Sequence, residues 1–116
     1  MEKVEKKSNS LKIDIDEITK LVGETARNSY GVLNIATKKE MNLVSKITKK
    51  GKMEDGIIVN KRVDNTFDVS VYLVLAQGIK ITEALRECQK SIRFVLKKKY
   101  PNMCRTVDVY VCELRQ

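Results

Sequence analysis

The 116-residue chain has no histidine and no tryptophan, a single proline, and aromatic residues at only 5%. Without histidine it lacks the usual metal ligand and the side chain that most readily exchanges protons near neutral pH. Hydrolytic triads and most zinc sites are thereby excluded. So few aromatics also supply a stacking platform for single-stranded nucleic acid poorly. The three cysteines, Cys88, Cys104 and Cys112, are an odd number, and no two have the spacing of a zinc knuckle or a thioredoxin-like pair. They are expected as small buried apolar residues rather than as a disulfide scaffold. The longest unbroken hydrophobic run, Val71 to Ala76, is far short of the ~20 residues of a membrane-spanning helix. Met1 to Ser10 is rich in lysine and glutamate and has neither the apolar core nor the cleavage site of a secretory signal. These absences predict a cytoplasmic protein without cofactor or metal: a frayed tail over residues 1–10, then one domain over 11–116.

Positive charge is what the chain has in excess, +8 net with a pI near 9.5. That balance favours acidic partners without choosing among nucleic acid, anionic lipid and acidic protein.

Leu11 to Ile13 reads as a short strand leading into a helix. Asp14 and Glu17 have capping-box spacing, and Ile18, Leu21, Val22, Thr25 and Ala26 form an apolar stripe up to a stop near Ser29 and Gly31. Val32 to Ala36 reads as a strand, Glu40 to Thr48 as a short helix, and Lys49 through Gly56 as a charged loop. Gly51 and Gly56 do not complete a phosphate-cradling motif, because no lysine follows Gly56. Ile57–Val63 and Thr66–Ala76 flank Asp64 and Asn65 as a hairpin, and the odd residues Phe67, Val69, Val71, Leu73 and Leu75 face the core. A long helix spans Ile81 to Tyr100, ended by Pro101 and Asn102, and Thr106 to Leu114 is a last strand with Val107, Val109 and Val111 alternating. The fold class that buries these faces is α+β, a two-layer sandwich: a mixed sheet of about four to five strands with two main helices on one face.

Several strings, taken in order, resemble one family. These are the first helix running into Ser29-Tyr30-Gly31-Val32, then Gly56-Ile57, Asp68-Val69-Ser70-Val71-Tyr72, Ala76-Gln77-Gly78 and Val107-Asp108-Val109-Tyr110-Val111. Together they are similar to the alkaline shock, or envelope stress response, proteins of Gram-positive bacteria. Tyr30 stands where that family's turn usually has proline, and Asp108 where it usually has asparagine. The resemblance implies a small non-enzymatic cytoplasmic protein linked to cell-envelope stress, in some relatives held near the membrane by a separate membrane protein. It carries over no catalytic residue.

The residues themselves supply no enzyme. A nucleophile needs a base and a group to orient it, and Asp14, Asp16 and Glu17 are accounted for by helix capping and dipole compensation. One surface stands out. Arg86, Lys90, Arg93 and Lys97 are spaced by four, three and four along the long helix, opposite Leu85, Cys88, Ile92, Val95 and Leu96, and Phe94 falls beside them. The line is either an ordinary solvated face or a surface for an anionic partner. The function expected is that of a protein-interaction or scaffold module in the envelope stress response, peripheral at the inner face of the membrane through a partner. The alternative is an accessory protein bound to RNA or other nucleic acid. Strands alternating valine with polar residues also allow a homo-oligomer through edge pairing.

Overall fold

The structure, a computed structural model, describes residues 12–41, 52–54 and 56–116. In chain order the elements are α1 (Ile15–Arg27), β1 (Val32–Ile35), α2 (Lys38–Met41), β2 (Lys52–Glu54), β3 (Ile57–Lys61), β4 (Phe67–Ala76), α3 (Ile81–Lys99) and β5 (Cys104–Arg115). They form the expected α+β sandwich: one mixed sheet with both long helices on the same face.

Helix α1 starts where the sequence places it, because the Asp14 carboxylate accepts the Glu17 N–H at 3.2 Å. The residues before it are not a strand. Lys12 and Ile13 are irregular, and Leu11 lies outside the described residues. Ile13 and Ile18 occupy the positions just before the cap and four residues into the helix, and both are buried in one core cluster. This is a hydrophobic staple, which uses an apolar residue at that spacing to fix the chain's entry into the helix.

Helix α2 begins two residues before the expected Glu40. Thr37 and Glu40 form a reciprocal capping box: the Thr37 hydroxyl accepts the Glu40 N–H at 3.3 Å and the Glu40 carboxylate accepts the Thr37 N–H at 2.8 Å. Residues 42–48 of the expected helix, like the tail over 1–10, lie outside the described residues. Within the stretch read as a loop, Lys52–Glu54 is a strand, paired antiparallel to β3.

Strand β4 is central. β5 runs parallel to it along its whole length, from Phe67↔Cys104 to Ala76↔Arg115. The 19-residue helix α3 supplies the crossover that a parallel pair requires. On its other side β4 has two antiparallel partners placed end to end: β3 along Phe67 to Val71 and β1 along Leu73 to Leu75. They meet at Tyr72, whose N–H donates to the Gly56 carbonyl at 2.8 Å and whose carbonyl accepts the Ala36 N–H at 2.9 Å.

The odd residues of β4, Phe67 to Leu75, are all fully buried, as their period of two predicts. They pack with Ile18, Val22 and Ala26 of α1 and with Ala84, Cys88, Ile92 and Leu96 of α3. A smaller cluster of Ala36, Met41 and Ile58, with Tyr72 and Cys112 against it, lies under α2 on the opposite face. Cys88 is buried as expected, and burial pushes its thiol pKa up. Because a serine hydroxyl inside a helix can donate to the carbonyl four residues back, as the Thr19 and Thr25 hydroxyls do in α1, Cys88→Ser is expected to cost only about 1 kcal/mol in a urea melt. A loss several times larger would mean that the new hydroxyl finds no partner.

Candidate functional site

The α3 line that the sequence singles out is exposed along its length. Lys90, Arg93, Phe94 and Lys97 line a cavity of about 470 Å³ together with Tyr100, Asn102 and Cys104. Arg86, one turn earlier, shares the exposed line but not the cavity wall. The three added residues are there because the chain doubles back. The Leu96 carbonyl takes the Tyr100 N–H at 2.7 Å, and Pro101 cannot extend the helix. Asn102 then turns with φ 62°, and the Phe67 N–H anchors the Met103 carbonyl at 2.9 Å. Cys104 is thus the first residue of β5, not part of the preceding loop, and it faces the last turns of α3. Pro101-Asn102 was the sequence signal for this return, but helical spacing alone cannot say what lies across from a helix end.

The floor of the groove is tied to the other helix. Tyr100 is 2% exposed and meets Phe67 edge to face, with ring centroids 5.6 Å apart. Its hydroxyl donates to Glu17 Oε1 at 2.5 Å and accepts the Asp14 N–H at 3.4 Å. Glu17 therefore does not reach back to its own cap, as a complete capping box would require. It joins Tyr100 and Lys99 instead, the latter at 3.1 Å, and these hydrogen bonds, Tyr100's first, lower its pKa. Burial, then the Glu17 bond, pushes the Tyr100 phenol up to about 12.

The electrostatics of the groove are one-sided. Elsewhere Arg62, Lys99, Arg105 and Arg115 pair with Asp68, Glu17, Asp64 and Glu40. Among the described residues no carboxylate pairs with Lys90, Arg93 or Lys97. Phe94 is 61% exposed in this field, with Lys98 Nζ 5.1 Å from its ring centre. The Cys104 thiol is pushed up to about 11, chiefly by burial and against the pull of Arg93. It stays protonated at neutral pH and is a weak nucleophile. The groove can hold an anion that also has an apolar part; it offers no activated group.

Beside the groove runs a sheet edge. Among the described residues β5 pairs with β4 alone. Because Tyr72 gives its backbone groups to Gly56 and Ala36, the odd residues of β4 point theirs at β5. In a parallel ladder the residue directly opposite such a position turns its own groups away. Val107, Val109 and Val111, opposite Val69, Val71 and Leu73, therefore present N–H and C=O outward. The Gln89 amide of α3 donates to the Val107 carbonyl at 2.6 Å. On the sheet's other surface Tyr72 and Tyr110 stack with centroids 4.8 Å apart, and Asp108 lies two residues before Tyr110 on the same face.

A second cavity, of about 620 Å³, lies along α1 between Asp16, Thr19, Lys20, Glu24, Arg27, Ile35 and Ile57 and mixes both signs of charge. Among the described residues no three of Cys, Asp and Glu gather as a metal site, and no helix is long and apolar enough to cross a membrane.

An uncharacterised protein of Streptococcus pyogenes is 27% identical over 114 residues, covering 97% of this chain and 93% of the relative. Solved structures of the MamM CTD share the fold at low identity. A copper form aligns with TM-score 0.52 and 11% identity over 89% of this chain and 100% of that one. A nickel form gives 0.51 and 11% over 87% and 99%. The family model described as ASP23, of cell envelope-related function, matches residues 3–116. The chain belongs to the ASP23 family, a family of cell envelope-related function.

Proposed function

We propose that this protein serves the cell envelope as a non-enzymatic interaction module, taking an anionic partner into the groove between α3 and the start of β5. The observation that carries this reading is the unneutralised cluster of Lys90, Arg93 and Lys97 around an exposed Phe94. Charge steers approach, and the ring and cavity give apolar area to bury. In this reading the protein is cytoplasmic and reaches the inner face of the membrane through its partner, as a scaffold in the envelope stress response. The metal forms named among the MamM CTD structures are properties of those proteins; this chain has no histidine, and among its described residues no three of Cys, Asp and Glu gather. Nucleic acid is less well served: the groove holds one exposed ring, and the stacked tyrosines on the sheet sit beside Asp108, which repels phosphate.

The test is charge reversal. Lys90→Glu with Arg93→Glu is expected to leave the melting temperature unchanged, because both side chains face water. Capture of the partner from the native cell should fall about tenfold, and wild-type capture should weaken as salt rises. Nuclease treatment should leave the capture intact. Loss on nuclease treatment would favour the RNA-associated reading, and capture unaffected by the double reversal would make the line a solvated face.

A further inference from the structure

Sheet edges in stable monomers are usually blunted by lysine, proline, bulges or a covering element. The ladder of β5 is irregular near both ends, at Phe67/Asp68 and at Leu73/Val74. Between them, Thr106-Val107-Asp108-Val109-Tyr110-Val111 is regular and carries neither lysine nor proline. Its outward N–H and C=O groups at Val109 and Val111 have no partner among the described residues. Val111 is 37% and Tyr110 43% exposed, on opposite faces of the strand, so each side of an added strand has apolar surface to meet.

Helix α3 overhangs this edge. Gln89 touches it directly through the Val107 carbonyl, and Arg86 and Arg93 share the helix face of Gln89 at three and four residues' distance. A row of alternating donors and acceptors beside a row of cations is a demanding combination. A phosphate backbone satisfies the cations and wastes the edge N–H and C=O ladder. A second copy satisfies the edge but brings two chains of net charge +8, and two basic lines, together. An extended peptide with its carboxylates on the α3 side, away from Asp108 on the opposite face of β5 with Tyr110, satisfies both.

We infer that the free edge of β5 takes an acidic segment of a partner protein as an added strand, whose carboxylates meet Arg86, Lys90 and Arg93. This rests on the groove reading above and names the class of partner.

The experiment uses the full chain and a fluorescein-labelled nonapeptide alternating glutamate with valine, followed by anisotropy. Its comparator is the same peptide with every backbone amide N-methylated, which keeps the charge and the side chains but has no N–H left to join a ladder. Binding is expected to fall about tenfold or more on N-methylation, and as much for Val109→Pro, which removes an outward N–H that β4 does not use. If charge reversal at Lys90 and Arg93 weakens binding while N-methylation does not, the strand addition is wrong and the groove reading stands. If neither matters, both fall. Failure of the nonapeptide to bind at about 1 mM, where a net interaction of about 4 kcal/mol would register, overturns the inference. Phosphatidylglycerol vesicles or RNA binding in its place assigns the groove to phosphate. Sedimentation showing a dimer that Val109→Pro dissociates assigns the edge to a second copy.

Discussion

Tyr100→Ala is expected to destabilise the fold by about 4 kcal/mol, in the range for deleting a buried aromatic ring, and to abolish binding in the groove. The residue is 2% exposed, closes the core against Phe67, and carries the hydroxyl that joins the end of α3 to Asp14 and Glu17 at the start of α1. Tyr100→Phe keeps the ring and removes only the bond, so its cost should be nearer 1 kcal/mol, since Glu17 retains Lys99 and water. The phenol also links stability to pH. Its folded pKa is raised from 10.0 to about 12, so the neutral form is favoured in the folded state. The contribution is complete below pH 10 and is lost as pH rises through 12, about 2–3 kcal/mol in all. Urea midpoints at pH 9 and pH 11.5 should therefore converge in Tyr100→Phe relative to wild type. An equal drop in both proteins would remove Tyr100 as the source.

Gly56→Val is expected to be as damaging for a different reason. A Cβ at Gly56 stands 2.7 Å from the Tyr72 carbonyl oxygen and 2.9 Å from that of Ala36. Both are backbone atoms in the middle of the sheet, so neither can swing aside as a side chain would. This is the point where β3 and β1 share one side of β4, and parting them breaks the hydrogen bonds that align the two. We expect a loss of about 3 kcal/mol or more and a fall in melting temperature on the order of 10 °C, already visible with alanine. A melt within a degree of wild type would show that the junction yields freely.

Local periodicity made most of the fold legible. The five odd residues of β4 are fully buried, and so are Ile18, Val22, Ala26, Cys88, Ile92 and Leu96 of the two helix stripes, with Leu21, Thr25, Leu85 and Val95 half-buried at their margins, because burial on one face repeats within a single element. What the sequence did not show depends on pairing between distant segments. Lys52–Glu54 is a three-residue strand too short for any period to appear. Val74 points away from the helices yet is fully buried, on the face where α2 packs. That β5 is an edge follows only from seeing β1 and β3 share the other side of β4. The basic line and Phe94 were readable from helical spacing, whereas Tyr100, Asn102 and Cys104 joined them through the turn after α3. The capping box at Thr37 and Glu40 was readable and moves the start of α2.

The most direct measurement places a photoreactive phenylalanine analogue at position 94 and irradiates the native cell. The groove reading predicts a protein crosslink, unaffected by nuclease, mapping by mass spectrometry to an acidic segment of the partner and lost when Lys90 and Arg93 are changed to glutamate. A crosslink to nucleotides, or a protein crosslink that survives the double reversal, would contradict it.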